Sequence, residues 1–391
     1  MNRPLRVLHV VPSYYPAVRY GGPIFSVHGL AKATAALGHR VDVFTTNADG
    51  PQRLSVPTDR FVDVDGVNVR YFELGLGTRL FRAPAMAREA KAHIGEYDVV
   101  HIHAMFLWPV MRMARIARAA GVPYVVSPRG MLVRELFAAR SGIIKRLWMR
   151  LFDRRTVEQA ATLVVTAAEE ARALSEFDYK IARVATIPNG VDLTSGSDAP
   201  DTAHLPKSGY YLSLGRINWK KNLPALVAAM ARVPDARLLI VGNDEDGDGA
   251  AVRAAISEHG LADRVTIIDR AVAGAEKSWL YANCAGFILP SLSENFGNVV
   301  VEAMAAARPI IVTRQCGVAE HVAASGGGLV CDADAASIGA ALQQMDAMTV
   351  AARDAMGRAG QAYVAAHLTW DAVARAMVDA YRAVMDKDDA R

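Results

Sequence analysis

The chain has 391 residues, of which 52% are hydrophobic and 21% charged, and a formal net charge of +4. This length suits two domains rather than one ordinary core, and the apolar share excludes disorder as the dominant state. A charge of +4 is too small to argue for nucleic-acid binding, and the three cysteines, Cys284, Cys316 and Cys331, make neither a metal cluster nor a secreted disulfide framework.

The N-terminal stretch MNRPLRVLHVVPSYYP is basic at its start, but its apolar run is only strand-length and lacks a small-residue cleavage pattern. No run reaches the roughly 18 apolar residues of a spanning helix. The longest candidate, 99–113, is broken by His101, His103 and Arg112. These features predict a cytoplasmic protein that is neither exported nor membrane-spanning.

In chain order, LRVLHVV is a continuous apolar run, as parallel strands buried on both faces are. PIFSVHGLAKATAALGHR reads as a helix stopping at Gly38, followed by the strand VDVFTT. DVDGVNVRYF reads as a turn between short strands, and YDVVHIHA as another buried strand. An amphipathic stretch to Ala120, the strand VPYVVSP, a helical region from Arg134 to Ala161 and the strand TLVVTA complete the first series. After IPNGVD the stretch LTSGSDAPDTAHLPKSG has the composition of a linker.

A second series begins at YYLSLG and continues through a helix from Leu223 to Ala231, ARLLIVG, a helix from Gly249 to His259, RVTIID and a short helix. GFILPS, the helix within SENFGNVVVEAM, PIIVT, GGLVC and the apolar-striped helix WDAVARAMVDAYRAVM follow. The fold class is α/β, with two Rossmann-like doubly wound parallel-sheet domains facing a cleft. Their expected limits are 1–192, joined by about 368–391, and 193–367.

The most chemically loaded stretch is SENFGNVV, where Asn295, Phe296, Gly297 and Asn298 gather backbone amides at a helix start. Gly297 allows a ligand close to the backbone. Glu294 could accept hydrogen bonds from sugar hydroxyls and Glu302 from a ribose diol. The same two positions also suit plain helix electrostatics and a solvated face. In SLGRINWKKNL, Arg216 with Lys220 and Lys221 offers a guanidinium fork and ammonium charges at a strand end, suited to a diphosphate or to a solvated basic loop. Gly21 and Gly22 open the first helix and could cradle a phosphate. GxGxxG is missing, which argues against a nicotinamide enzyme.

Three stretches imitate metal sites. DEDGDG, from Asp244 to Gly249, copies half a calcium loop but has Ala255 where a glutamate is required. The acidic pair Asp63 and Asp65 sits beside Gly66 and reads better as a turn. His101 and His103 share one strand face, with no third ligand in view, so sheet-end histidines are the better reading than zinc. GIIKRLWMRLFDRR puts Ile143, Ile144, Leu147, Trp148, Leu151 and Phe152 on one face, beside Lys145, Arg146, Arg150, Arg154 and Arg155. It suits either an anionic membrane surface contacted through 143–155 or a domain helix with a solvated basic face.

Taken in order, YGGP, HRVDVFTT, DVVHIHA, YVVSPRGML, IPNGVD, GRINWKKNL and PSLSENFGNVVVEAM resemble the retaining glycosyltransferases of family 4, which have the GT-B fold. The resemblance covers nearly the whole chain. It implies that Glu294 contacts the donor sugar and Glu302 holds the ribose. Arg216 and Lys221 would bind the diphosphate with the amides of Phe296 to Asn298, and the Gly21–Gly22 loop would lie against donor phosphate or acceptor. The final helix would cross back to the first domain.

Arg129 stands where many relatives carry histidine, facing the transferred sugar, and could stabilise the leaving phosphate or hold the sugar. Asp269 and Ala307 replace glycines common in the family. The implied reaction is a metal-independent, retaining transfer, with no resident cofactor, from a nucleotide-sugar to a carbohydrate or polyprenyl-diphosphate-linked acceptor in bacterial surface polysaccharide synthesis. Other readings are a sugar phosphorylase or nucleotide-sugar epimerase on the same fold, a dinucleotide-dependent oxidoreductase, and a non-catalytic nucleotide-sugar binder.

Overall fold

A computed structural model describes residues 3–76, 78–132, 142–193, 208–244 and 247–385. Most of the predicted linker (194–207), the start of the long predicted helix (133–141) and Glu245 and Asp246 of the calcium-like loop lie outside the described residues. The chain forms two compact units, Met1–Gly190 with Trp370–Arg391, and Val191–Thr369.

The first unit contains strands β1 (Arg6–Val10), β2 (Arg40–Thr46), β3 (Ala48–Asp49), β4 (Gln52–Arg53), β5 (Val62–Val64) and β6 (Val67–Phe72). β7 (Val99–His103), β8 (Tyr124–Ser127), β9 (Thr162–Val165) and β10 (Val184–Thr186) complete it. Eight of them form one sheet in the order β10-β9-β8-β7-β1-β2-β6-β5, and β3 pairs separately with β4. β7, β8 and β9 are buried along their whole length, which explains their unbroken apolar character.

Among the described residues of that sheet only β5 runs antiparallel. Asp65 and Gly66, with φ of 53° and 82°, make the two-residue turn that joins it to β6. Asp63 accepts from the Gly66 amide at 3.3 Å and Asp65 from His28 at 3.0 Å, so this acidic pair is spent on the turn.

The last helix, Trp370–Met385, belongs to this first unit. Its stripe of Val373, Met377, Val378, Tyr381 and Val384 packs with Leu5, Val7, Leu30 and Val99. The Trp370 indole sits where only glycine leaves room. A Cβ on Gly190 would lie 2.7 Å from the ring, and one on Gly29 would be driven into it.

The second unit carries β11 (Tyr210–Leu214), β12 (Arg237–Val241), β13 (Val265–Ile268), β14 (Cys284–Leu289), β15 (Ile310–Thr313) and β16 (Gly328–Cys331). All are parallel, in the order β13-β12-β11-β14-β15-β16. Alternate residues feed the two faces. Leu212, Leu239, Phe287 and Ile310 enter one core and Tyr211, Leu238, Ile288 and Ile311 the other.

Helices Ala335–Asp346 and Val350–His367 have no counterpart in the elements read from sequence. Each nevertheless begins at a capping side chain, Asp334 accepting from the Ser337 amide and Thr349 from the Ala352 amide. Among the described residues no helix is long and apolar enough to cross a membrane.

In each sheet the chain reverses its direction of growth beside one strand, β1 in the first and β11 in the second. Ligands of such sheets bind beyond the carboxyl ends of the strands at that reversal. Both glycines beside Trp370 are needed for the final helix to seat. Gly29→Ala is expected to destabilise the first unit by about 1–3 kcal/mol through overpacking, read as a lower midpoint in urea unfolding. An unchanged midpoint would show that the indole relaxes freely.

Candidate active site

In the second unit, the carboxyl ends of β11 and β14 lie side by side. β11 is followed by Gly215, whose φ is 143°. A Cβ on Gly242, at the end of β12, would collide with the Gly215 carbonyl, so this close approach requires glycine. The basic loop that follows is pinned along its length. Ile217 donates its amide to Asn243 O at 2.9 Å and Trp219 to Asp248 Oδ2 at 2.8 Å. Asn222 sits in the left-handed region at φ 55° and its amide group donates to Pro290 O and Ala333 O at 3.1 and 2.6 Å. The Leu292 amide donates to Lys220 O at 2.8 Å, which joins this loop to the one after β14.

That second loop holds the first motif glutamate. Glu294 donates its amide to Gln315 O and accepts from the Gly317 amide, both at 3.1 Å, so its backbone is fixed. Its Oε2 forms an ion pair with Lys221 Nζ, both side chains being about three-quarters buried or more. Arg216 is exposed at the entrance to the basic loop and has no ion pair among the described residues. Phe296 is buried, with its ring edge on His321 at 5.8 Å between centroids, so it contributes backbone here rather than its ring. Gly297 has φ 104°, and a Cβ there would press on Val318 and Leu289 at 3.1 and 3.2 Å.

The helix Asn298–Ala305 starts immediately after Gly297, with Asn295 and Asn298 half-buried at its mouth. Glu302 lies on this helix. Its Oε2 is held by Lys277 Nζ at 2.6 Å and by the Tyr281 hydroxyl at 2.7 Å. Sequence reasoning missed both partners. They sit one turn apart on the helix Gly274–Asn283, where an i, i+4 pair shares a face.

In the first unit, the ends of β1, β7 and β8 bring together His9, His103 and Arg129. Gly21 (φ 70°) precedes the helix that begins at Gly22 after β1. Arg129 adopts the left-handed conformation at φ 55°. Its guanidinium donates to Asn189 Oδ1 at 2.9 Å and faces His103 Nδ1 at 3.4 Å. Burial pulls Arg129 down to about 10, which leaves it charged at neutral pH. Glu170, also missed from the sequence, supplies the opposing charge. It is buried and accepts from the Gly130 amide at 2.6 Å and the Thr166 amide at 2.9 Å. Arg129, Asn189, Ser26, Ser127, Thr166 and Trp370 line one small cavity.

His101 and His103 do share a strand face, but the third ligand absent from the sequence reading exists. His9 lies opposite His101 in the β1–β7 register. Nitrogens of His9, His101 and His103 fall within 4.8 Å of one another. The donor set still does not fit a metal. His101 spends Nδ1 on the Tyr381 hydroxyl at 2.7 Å and Nε2 on Ser127 Oγ at 2.8 Å. His103 spends Nε2 on His9 Nδ1 at 2.9 Å, and its other nitrogen faces the Arg129 cation, which would oppose a divalent ion. In the calcium-like loop, Asp248 accepts from Trp219 and Asp244 from the Gly249 amide at 3.0 Å.

Two family models match this chain: a glycosyl transferase 4-like domain over residues 21–190 and a glycosyl transferases group 1 domain over 209–346. A D-inositol 3-phosphate glycosyltransferase of Mycobacterium sp. (strain JLS) is 30% identical, covering 78% of this chain and 73% of that one. The chain belongs to the group 1, family 4 glycosyltransferases. It is therefore an enzyme of that class.

This glycosyltransferase is also 26% identical to a GDP-mannose:cellobiosyl-diphosphopolyprenol alpha-mannosyltransferase of Xanthomonas campestris, over 97% of each chain. Its fold matches a sucrose-phosphate synthase from Thermosynechococcus elongatus (TM-score 0.76, 24% identity, 98% of this chain and 100% of that one). It also matches Anabaena HepE in complex with UDP and glucose (TM-score 0.73, 18% identity, 97% and 100%). The fold is GT-B, α/β with two parallel-sheet domains.

The buried histidine trio predicts a fold that loses stability in acid. Burial lowers His9 from 6.5 to about 3, and His101 and His103 also lie well below 6.5. Between those values the unfolded chain binds protons that the folded one does not. The trio's contribution to stability is thus complete above about pH 6.5 and falls as pH drops toward 3. Each such histidine adds about 1.4 kcal/mol per pH unit to this slope. His9→Asn is expected to flatten the dependence by about that amount between roughly pH 6 and 4, measured by urea unfolding at stepped pH. An unaltered slope would mean that His9 is protonated in the fold.

Proposed function

We propose that this glycosyltransferase moves a hexose from a nucleotide-sugar to a hydroxyl of a lipid-linked or oligosaccharide acceptor, retaining the anomeric configuration and using no metal ion. The donor is a GDP- or UDP-sugar such as GDP-mannose or UDP-glucose. The product belongs to bacterial surface polysaccharide synthesis. The observation that carries this reading is the Lys221–Glu294 pair at the β11–β14 reversal with the exposed Arg216 beside it. That group combines cations for a diphosphate with a carboxylate for sugar hydroxyls.

Arg216 and Lys221 neutralise the diphosphate as the C1–O bond to phosphate breaks, work that a metal would otherwise do. The amides around Phe296, Gly297 and Asn298 add donors at the helix start. Glu294 orients the sugar through its hydroxyls and Glu302 receives the ribose. The acceptor oxygen forms its bond to C1 on the face the phosphate leaves, and its proton passes to a departing phosphate oxygen. In the first unit, Arg129 and the Gly21–Gly22 loop steady negative charge and position the acceptor. The Xanthomonas relative, by its name a GDP-mannose-dependent enzyme acting on a diphosphopolyprenol, supports this donor and acceptor class.

A lipid-linked acceptor also calls for a cytoplasmic protein able to rest on the inner face of the membrane. Helix Gly142–Trp148, a π-helical turn at Met149–Asp153 and helix Arg154–Glu158 expose Ile143 (80%), Leu147 (56%), Leu151 (58%) and Phe152 (38%). Arg150 and Arg155 are exposed on the same segment. Apolar side chains flanked by arginines suit an anionic lipid surface. Leu147→Glu with Leu151→Glu is expected to abolish co-sedimentation with phosphatidylglycerol vesicles while leaving the fold intact. Equal sedimentation of both proteins would remove this segment from the membrane contact.

Turnover is the direct test of the transfer. With the matching nucleotide-sugar and EDTA present, the wild-type enzyme is expected to keep its rate. Arg216→Ala and Glu294→Ala are each expected to lose about 100-fold or more in kcat. Near-normal turnover in either variant would take that residue out of the mechanism, and loss of activity in EDTA would overturn metal independence.

A further inference from the structure

Buried imidazoles at a sheet end are costly unless their nitrogens are used. His103 closes β7 and is buried, beside the Arg129 that follows β8. Its neighbours dictate where its proton sits. A guanidinium can only donate, so His103 Nδ1, facing Arg129 at 3.4 Å, is the acceptor. Burial keeps the ring neutral, so its one proton is on Nε2 and goes to His9 Nδ1 at 2.9 Å. The His9 and His103 rings stack within 5° of parallel, which fixes the bond's direction.

Arg129 is thereby held at both ends. Its backbone is left-handed at φ 55°, and the next amide, that of Gly130, donates to Glu170 at 2.6 Å. Its guanidinium donates to Asn189 Oδ1 at 2.9 Å and to His103. Both of these side-chain acceptors are neutral. A carboxylate in either place would orient the group equally well but cancel its charge. Arg129 Nε has no partner among the described residues, so the group keeps a donor as well as its charge.

We propose that His103 is a positioning residue for Arg129: its neutral Nδ1 aims the guanidinium at the negative charge it steadies, and His9 fixes the His103 tautomer. With Asn189 alone the guanidinium could swing about one bond, and the second acceptor removes that freedom. The role rests on Arg129 acting in the transfer, as proposed above. It gives the second histidine of the β7 end a task that neither metal binding nor plain packing supplies.

The test compares two polar replacements that each keep one ring nitrogen's function. Asparagine puts an amide oxygen where Nδ1 stands, and glutamine puts an amide where Nε2 stands. His103→Gln is expected to lose about tenfold in kcat, the worth of one charge-assisted hydrogen bond, with little change in KM for the nucleotide-sugar. His103→Asn is expected to restore most of that loss. In an Arg129→Ala background the two variants should turn over equally, because no guanidinium is left to hold. Equal losses from Asn and Gln in the wild-type background would mean a merely structural histidine, and the inference falls. A difference that persists without Arg129 would also sink it, as would full turnover by Arg129→Ala alone. A second readout needs no turnover: in protein labelled with ¹⁵N-histidine, His103 is expected to carry its proton on Nε2. A proton on Nδ1 would overturn the inference, whereas a wild-type enzyme that transfers no sugar would overturn the transfer reading instead.

Discussion

The candidate site of the second unit depends on one constraint: a carboxylate taken partly out of water stays charged and held still only with a partner. Water does not hold a glutamate in one rotamer, and burial without a partner would neutralise it. Here each motif glutamate is tied through a single oxygen to a lysine from a separate segment, Glu294 to Lys221 and Glu302 to Lys277. Among the described residues no hydrogen bond engages the other oxygen of either. Cation and carboxylate thus stabilise one another where burial would disfavour either charge alone.

Such pairing works only if the backbones carrying the partners are registered. The Leu292–Lys220 and Asn222–Pro290 bonds lock the loop after β11 to the loop after β14, and the Glu294 backbone is bracketed by Gln315 and Gly317. The sheet supplies the coarse placement by setting β11 and β14 side by side at the reversal of strand order. Glycines supply the fine placement, Gly242 where two strand ends touch and Gly297 where the loop enters the helix. Packing and chemistry are therefore the same problem at this end of the sheet.

The first unit solves a different problem with the opposite balance. Its buried polar groups form a neutral histidine network anchored on Ser127 and Tyr381, with a single guanidinium at its edge. Burial keeps the imidazoles uncharged, so Arg129 remains the local cation, and Glu170 balances it from the side of Gly130. The last helix matters here because Tyr381 is part of this network. A segment some distance along the sequence thus completes a polar core built on β1, β7 and β8.

Much of the fold was legible from local patterns. Unbroken apolar runs marked the parallel strands, the Asp65–Gly66 turn separated a hairpin from a metal pair, and the motif order carried the family. Helices Ala335–Asp346 and Val350–His367 were missed although their caps are plain in the sequence, because alanine-rich faces give a weak periodic signal. Ala307, with φ 57°, takes the left-handed position that glycine usually fills, a cost that no pattern of side chains reveals.

The sequence by itself determined the residue types of the candidate site, Arg216, Lys221, Glu294 and Glu302 among them, since the spacing of each pair along its own strand–loop–helix unit is a local property. Only the tertiary structure decided their partners. Lys277, Tyr281, Glu170 and His9 come from elements far along the chain, and sheet order, not sequence distance, sets which of them meet.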